Sequence, residues 1–390
     1  MPFSKLQSIS NSSKRKHPAV VEALSELARE LGPGAKLPTT RELAKALGVT
    51  GATLSRGLEQ LESRGVLRCL QGSGVYVESG VLQKRVALVF GGDVFSPGSS
   101  EFGALLLKCC AKRASDHNER FSFFLDNLAF HGVMDGSAIP AHQDLSDALK
   151  MGKIDGILLV NRTSIEQEVW LRSHGIPVVR LDTSLDSRPL GSDVVIIDYD
   201  QMIHRGVTAL AAAGCRTLGL LGVLAEHGSM FRATLAEQGL ETRDLWVSHP
   251  AAVDFRASNS HEQIGREAAR QLMADAASHG YGLEHVGLPD GLLITDDIMA
   301  VGALKLFDSL GVDIGGRLKV ASHANKGSSI LAPWESRITH LQSDPYEIAV
   351  TLLNTLESLM NGHPSSCQIL IPHAPRELSL CNLKNNPPTH

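Results

Sequence analysis

The chain has 390 residues, 43% hydrophobic and 20% charged, with a formal net charge of −5. That length calls for two or three domains, and that composition excludes wholesale disorder. The charge divides unevenly, with 12 Lys/Arg against 7 Asp/Glu in residues 1–84 (+5) and 25 against 35 in residues 85–390 (−10), so the head suits a polyanion and the body does not.

Residues 1–16, rich in Ser, Lys and Arg, read as a loose basic tail. A helical period then places Val21, Leu24, Leu27, Ala28 and Leu31 on one face, and Gly32-Pro33-Gly34 stops it. A second helix is predicted over 40–47, with Leu43, Ala44 and Leu47 inward. After the tight turn Gly48-Val49-Thr50, Thr50 caps a third helix that runs through 64 and faces inward with Leu54, Leu58 and Leu61. Two short β-like runs, 66–70 and 75–77, flank Gln71-Gly72-Ser73-Gly74. Three helices and a hairpin make a winged helix, spanning residues 1–78. Residues 79–84 read as a linker with little in them that could anchor a core.

From 85 to 390 the rhythm changes. Runs at 86–90, 156–160, 178–181, 218–222, 291–295 and 318–321 are apolar without alternation, which suits strands buried on both faces. Helical stretches at 102–118, 203–213, 261–278 and 298–310 lie between them. Alternating strands and helices imply parallel sheets, and some 300 residues of the pattern imply two α/β lobes.

The head carries a long motif. It runs Gly34-x-x-Leu37-Pro38-Thr39-x-Arg41-Glu42-Leu43-Ala44-x-x-Leu47-Gly48-Val49-Thr50-x-x-Thr53-Leu54, and continues with Leu58, Leu61, Gly65, Gly72, Gly74, Tyr76 and Val77. It resembles the winged helix-turn-helix domain of the GntR family over residues 16–78. A winged helix used only for protein contacts is the alternative. The resemblance implies that the second helix crosses the phosphate backbone while the third enters the major groove. Arg41 would then contact phosphate or a base, Thr50 and Thr53 would face the groove, and Gln71, Gly72 and Ser73 would form the wing tip. Two positions where many members carry arginine hold Gly51 and Ser55, and Arg56 beside them is expected to take over part of that work. Gly72-x-Gly74 is not a phosphate-cradling loop, because a strand and not a helix follows it.

The body resembles the LacI-type sensor, which shares its fold with sugar-binding periplasmic proteins. The likeness rests on Ile154-Asp155-Gly156-Ile157-Leu158-Leu159-Val160, on Ile176-Pro177-Val178-Val179-x-Leu181-Asp182, and on Gly206 to Gly222. Thr295-Asp296-Asp297-x-Met299-Ala300-x-Gly302-Ala303-Leu304 and Ile371-Pro372 add to it. It implies a ligand cleft between two lobes and three chain crossings, the first near Tyr199, in an architecture like that of the arabinose repressor. By position Asn161, Asp182 and Asp296 match polar groups lining the family's cleft, and Phe90, Asp93 and Phe95 follow the first strand where effectors approach. Asp182 and Asp296 can equally cap loops or helices. His227 stands where the family has arginine, and Ser322-His323-Ala324 replaces the segment whose aspartate grips sugar hydroxyls. His227 and His323 are candidates for a different polar wall.

No residues are assigned to catalysis, and no cofactor is expected. Sixteen histidines without HExxH or paired spacing argue against a metal site. Cys69, Cys109, Cys110, Cys215, Cys367 and Cys381 show no paired framework and read as reduced, mostly buried thiols. With a polar N-terminus and no long apolar run, the chain is expected in the cytoplasm, away from membranes. Together these readings describe a ligand-responsive repressor, a homodimer on a double-stranded DNA operator, whose effector is a small molecule such as a sugar or sugar derivative. The alternatives are a small-molecule enzyme or a solute-binding protein built on the α/β body.

Overall fold

The computed structural model describes residues 16–90, 101–125, 143–160, 165–182, 193–248, 260–278, 287–363, 368–371 and 374–375. The head comprises α1 (Lys16–Leu31), α2 (Thr40–Leu47), α3 (Gly51–Ser63) and an antiparallel hairpin of β1 (Leu67–Leu70) and β2 (Gly74–Val77). The apolar faces of the helices close one core of Val20, Leu24, Leu27, Leu43, Leu47, Leu54, Leu58, Leu61 and Leu67. Each such side chain contributes about 1.5–3 kcal/mol on burial. Thr39 and Glu42 form a reciprocal capping box at the start of α2, and Gly48, at φ 65°, ends it in the left-handed conformation. Thr50 is the N-cap of α3, as its sequence position implies, and Arg64 is the C-cap, so the helix ends one residue before the predicted 64.

The connection from head to body, where little to anchor a core was expected, does carry one anchor, Val81. Two successive turns close with Val81 N–H donating to the Glu78 carbonyl and Gln83 N–H to that of Gly80. Val81 packs against the head's core, which folds the segment back onto the head. Two adjacent apolar residues, Val81 and Leu82, among small and polar ones gave no periodicity from which to foresee this.

Two six-stranded sheets build the body. The first has the order β13-β7-β6-β5-β3-β4, from β3 (Lys84–Phe90), β4 (Glu119–Leu125), β5 (Gly156–Val160), β6 (Val178–Asp182), β7 (Asp193–Ile197) and β13 (Gln368–Ile371). The second has the order β14-β12-β11-β10-β8-β9, from β8 (Leu218–Leu221), β9 (Val247–Ser248), β10 (Gly291–Ile294), β11 (Lys319–Asn325), β12 (Thr339–Ser343) and β14 (Ala374–Pro375). All neighbours are parallel except β12 and β14. The chain passes from the first sheet to the second after Ile197, returns after Ser343, and crosses again between Ile371 and Ala374.

The strands of the first lobe run under α4 (Glu101–His117) and a long helix at Pro345–Met360. The second sheet is covered on one face by helices Tyr199–Ala212 and Ala225–Gln238, and on the other by His261–Ser278 and Asp297–Ser309. That last pair packs backbone to backbone: a Cβ on Gly302 would lie 1.8 Å from the Glu262 carbonyl oxygen, and one on Gly265 would lie 2.0 Å from that of Met299. Strand β11 runs past the apolar stretch at 318–321 because Ser322, His323 and Asn325 continue it as buried polar residues. Among the described residues no helix is long and apolar enough to cross a membrane.

Candidate DNA-reading face and ligand cleft

The second and third helices present one polar face. Arg41, Thr50, Gly51, Ser55 and Arg56 are exposed, and Thr53 is half-buried. The Thr50 hydroxyl oxygen accepts the Thr53 N–H at 3.3 Å and lies 2.9 Å from the Thr53 hydroxyl. This cap starts α3 at exposed residues, where the positive end of a helix dipole favours an anion. Arg41 on α2 and Arg56 on α3 add exposed positive charge.

In the wing, Gln71, Gly72 and Ser73 are exposed at the tip. Gly72 takes φ 75°, the Ser73 N–H donates to the Leu70 carbonyl at 2.9 Å, and the Ser73 hydroxyl is 2.8 Å from that of Tyr76. Lys36 joins this unit, bridging to Tyr76 with its ammonium 5.7 Å from the ring centroid. Gly74 makes room, since a Cβ there would fall 2.7 Å from Lys36 Cε. The sequence reading missed Lys36, because its place beside the wing depends on a pairing forty residues away.

In the body, Phe90 and Asp182 end their strands, His323 lies in β11, Asp296 follows β10, and His227 is on helix Ala225–Gln238. Phe90 is fully buried within the first lobe's core, so its side chain packs rather than lining a surface. The Asp182 carboxylate is 3.2 Å from the Arg180 guanidinium, which also donates to the buried Glu168 at 2.8 Å. Asp93, Phe95 and Asn161 lie outside the described residues.

In the second lobe the structure gathers His227, Asp296 and His323 around Tyr199. Tyr199 packs against the cores of both lobes at the first crossing. Its ring stacks on His227, with centroids 4.8 Å apart, and lies 6.3 Å from the ring of His323. His227 is 1% exposed, and burial pushes its imidazole down to about 4 despite the nearby Asp296. Its Nδ1 is 2.9 Å from the Thr295 hydroxyl oxygen, which also accepts the Val223 N–H. With that oxygen accepting from Val223, the Thr295 proton can go to Nδ1, leaving Nε2–H as the donor. Among the described residues Nε2 has no hydrogen-bond partner.

A second chain of contacts runs deeper. His323 Nε2 donates to Ser343 Oγ at 3.2 Å, Ser343 donates to Asn325 Oδ1 at 3.1 Å, and Asn325 Nδ2 donates to Asp297 Oδ2 at 2.9 Å. Burial pushes the Asp297 carboxyl up. Asp296 caps its helix, accepting the Met299 N–H at 2.8 Å, and its second oxygen pairs with His261 Nδ1 at 3.0 Å. Burial works to raise Asp296, but the His261 hydrogen bond and charge outweigh it and hold the carboxyl below its ordinary value. His261 was absent from the sequence reading, which had no way to bring residue 261 to residue 296. A serine against an imidazole can be the start of a nucleophile. Ser343 is 1% exposed and gives its proton to Asn325, so the contact is structural.

Of the four cysteines in described residues, Cys110 and Cys215 are buried, Cys109 is half-buried, and Cys69 is exposed on the wing's first strand.

Residues 16–77 match the model of the bacterial regulatory proteins of the gntR family. The head is a GntR-type DNA-binding domain. Residues 207–377, behind the GntR-type head, match the periplasmic binding protein-like domain. Solved structures repeat the body's fold. The regulator CelR, in a complex with cellobiose, is 16% identical with a TM-score of 0.59, covering 87% of this chain and 98% of its own. A putative ribose operon repressor from Burkholderia thailandensis is 17% identical, TM-score 0.55, over 75% of this chain and 98% of its own. CcpA of Lactococcus lactis is 16% identical, TM-score 0.55, over 75% and 97%. At such identities the likeness concerns the fold. The chain thus joins a GntR-type DNA-binding head to a body that carries a periplasmic binding protein-like domain.

Proposed function

We propose that the chain is a cytoplasmic repressor that binds a palindromic operator as a homodimer and answers to a small molecule held between the lobes. The observation that carries this is the capped α3 with exposed Arg41, Gly51, Ser55 and Arg56, on one chain with a two-sheet body crossed three times. Arg41 and Arg56 contact the backbone or base edges, Thr50, Gly51, Thr53 and Ser55 approach the groove, and Gln71, Gly72 and Ser73 bring the wing to the adjoining backbone. Lys36, carried on the wing's flank, adds a phosphate contact.

In the cleft, His227, His323 and Asp296 form the second lobe's wall, with Asp182 at a strand end of the first. His227 presents a neutral N–H where a charged arginine is usual in LacI-type sensors, so the ligand offers an uncharged acceptor there. CelR was solved with cellobiose; here a sugar derivative or a smaller neutral molecule suits the wall better than an ordinary hexose. Closure of the lobes on the ligand alters the separation of paired heads, a coupling typically of about 1–3 kcal/mol.

Footprinting the full-length protein on the DNA upstream of its own gene tests the reading. A protected site with two-fold symmetry is expected, because one helix and one wing bury too little for specific binding alone. Protection without symmetry would overturn the homodimer, and turnover of a small molecule without DNA retention would favour an enzyme.

A further inference from the structure

The end of α3 remote from the DNA face is tied to the body. Arg64, its C-cap, donates from Nε to the Met151 carbonyl at 3.0 Å. Its guanidinium lies over Gly152, which has φ 61° and where a Cβ would fall 2.6 Å from Arg64 Nε. Arg85, the second residue of β3, donates from Nη1 to the Arg64 carbonyl at 3.3 Å. That carbonyl is at the negative end of the helix, where a cation is favoured and an acceptor lacks an intrahelical partner. Asp155, just before β5, holds Arg85 in turn. Its carboxylate takes Nε at 2.9 Å and Nη2 at 2.6 Å, and also accepts the Arg85 backbone N–H at 2.9 Å. Such a fork fixes the plane of the guanidinium as well as its position.

One strand of chain between head and body leaves the head free to swivel. A second attachment removes that freedom, and the contacts of Arg64 with Met151 and Gly152, far along the chain from the connection at Lys84, supply it. Here the contacts join the C-terminal end of the recognition helix to the start of β3 and to the segment that leads into β5, two neighbouring strands of the first lobe. The neighbouring Lys84, where the chain enters that lobe, pairs with Glu357 on helix Pro345–Met360, and Glu357 also takes Arg113 Nη2 at 3.1 Å. That helix begins at the second crossing between lobes, so one rigid element spans from the crossing to the head's footing.

We propose that Arg64, Arg85 and Asp155 form a latch that fixes the recognition helix to the first lobe, so that head and lobe move as one body. The latch rests on the DNA-binding reading above and makes Arg64 and Asp155 positioning residues, remote from DNA and ligand alike. It converts a rotation of the first lobe directly into a displacement of the recognition helix. In a paired regulator it also makes half-site spacing rigid.

The test uses the full-length protein and duplexes it selects from a random pool, followed by variants of the selected site with one base pair added or removed between half-sites. For the wild type, altered spacing is expected to weaken binding on the order of tenfold or more, because both heads no longer engage together. In Arg64→Ala, and in the near-isosteric Asp155→Asn, that penalty should fall to within about twofold, since freed heads adapt. Affinity for a single half-site should stay as in the wild type, which a general loss of folding would not permit. Met151→Ala, which keeps the accepting carbonyl, should retain the wild-type penalty. Selection of no duplex would overturn the DNA-binding reading itself. A two-fold site whose spacing penalty survives in both latch variants, or is missing in the wild type, would overturn the latch alone.

Discussion

His227 offers a quantitative handle on the second lobe. Its imidazole is held at about 4, against an ordinary value of 6.5, by burial beside Tyr199. Above pH 6.5 the ring is neutral in both folded and unfolded chains and adds no pH dependence. As pH falls through 6.5 the unfolded chain binds a proton that the folded chain refuses, so stability drops until about pH 4 and then levels. At about 1.4 kcal/mol per pH unit the gap corresponds to about 3 kcal/mol. His261 acts in the opposite sense: burial works to lower it, but Asp296 raises it overall, so its contribution is present below 6.5 and lost as pH rises through its folded value. A His227→Gln variant removes only the first effect. Urea unfolding of both proteins at steps from pH 7.5 to 4 should show the wild type losing about 3 kcal/mol relative to the variant. Parallel stability profiles would mean that His227 is not buried as a neutral ring.

Other outcomes follow from the same geometry. Arg41→Ala and Lys36→Ala should leave folding intact and flatten the salt dependence of DNA binding by about one unit each, measured by titration at several salt concentrations. An unchanged slope for Lys36→Ala would remove the wing's flank from the interface. Gly302→Ala should cost about 1–3 kcal/mol, because the obstructing atom is a backbone carbonyl that cannot turn aside; a melting temperature equal to the wild type's would contradict the close helix pair. Unmodified pentoses and hexoses should leave the melting temperature in place, although a true ligand at a hundredfold its Kd adds about 2.7 kcal/mol. A clear shift with such a sugar, abolished in Asp296→Ala, would refute the reading of the cleft wall.

The head was legible almost residue by residue because its signals are local. Caps at Thr39 and Thr50, the left-handed turn at Gly48 and the apolar period of α1 all act within a few positions. In the body, unbroken apolar runs exposed the buried strands, while polar continuation hid the end of β11, where His323 and Asn325 bond to the distant Ser343 and Asp297 and Ser322 to the adjacent carbonyl. Candidate cleft residues found by position divided accordingly. His227, Asp296 and His323 come together, Phe90 lies in a core, and Asp182 is paired with Arg180. His261, Tyr199 as the bridge between histidines, and the Arg64–Arg85–Asp155 contacts depend on tertiary neighbours, which no sequence period encodes.

The central claim, that the α2–α3 face reads DNA sequence, is tested most directly by selection from a random duplex pool with the full-length protein and with the doubly substituted Arg41→Ala, Arg56→Ala form. Both proteins should melt alike, since both arginines are exposed. The wild type should enrich one motif, and the double variant should enrich none at the same salt. Enrichment of the same motif by both proteins, or of no motif by the wild type, would contradict the account.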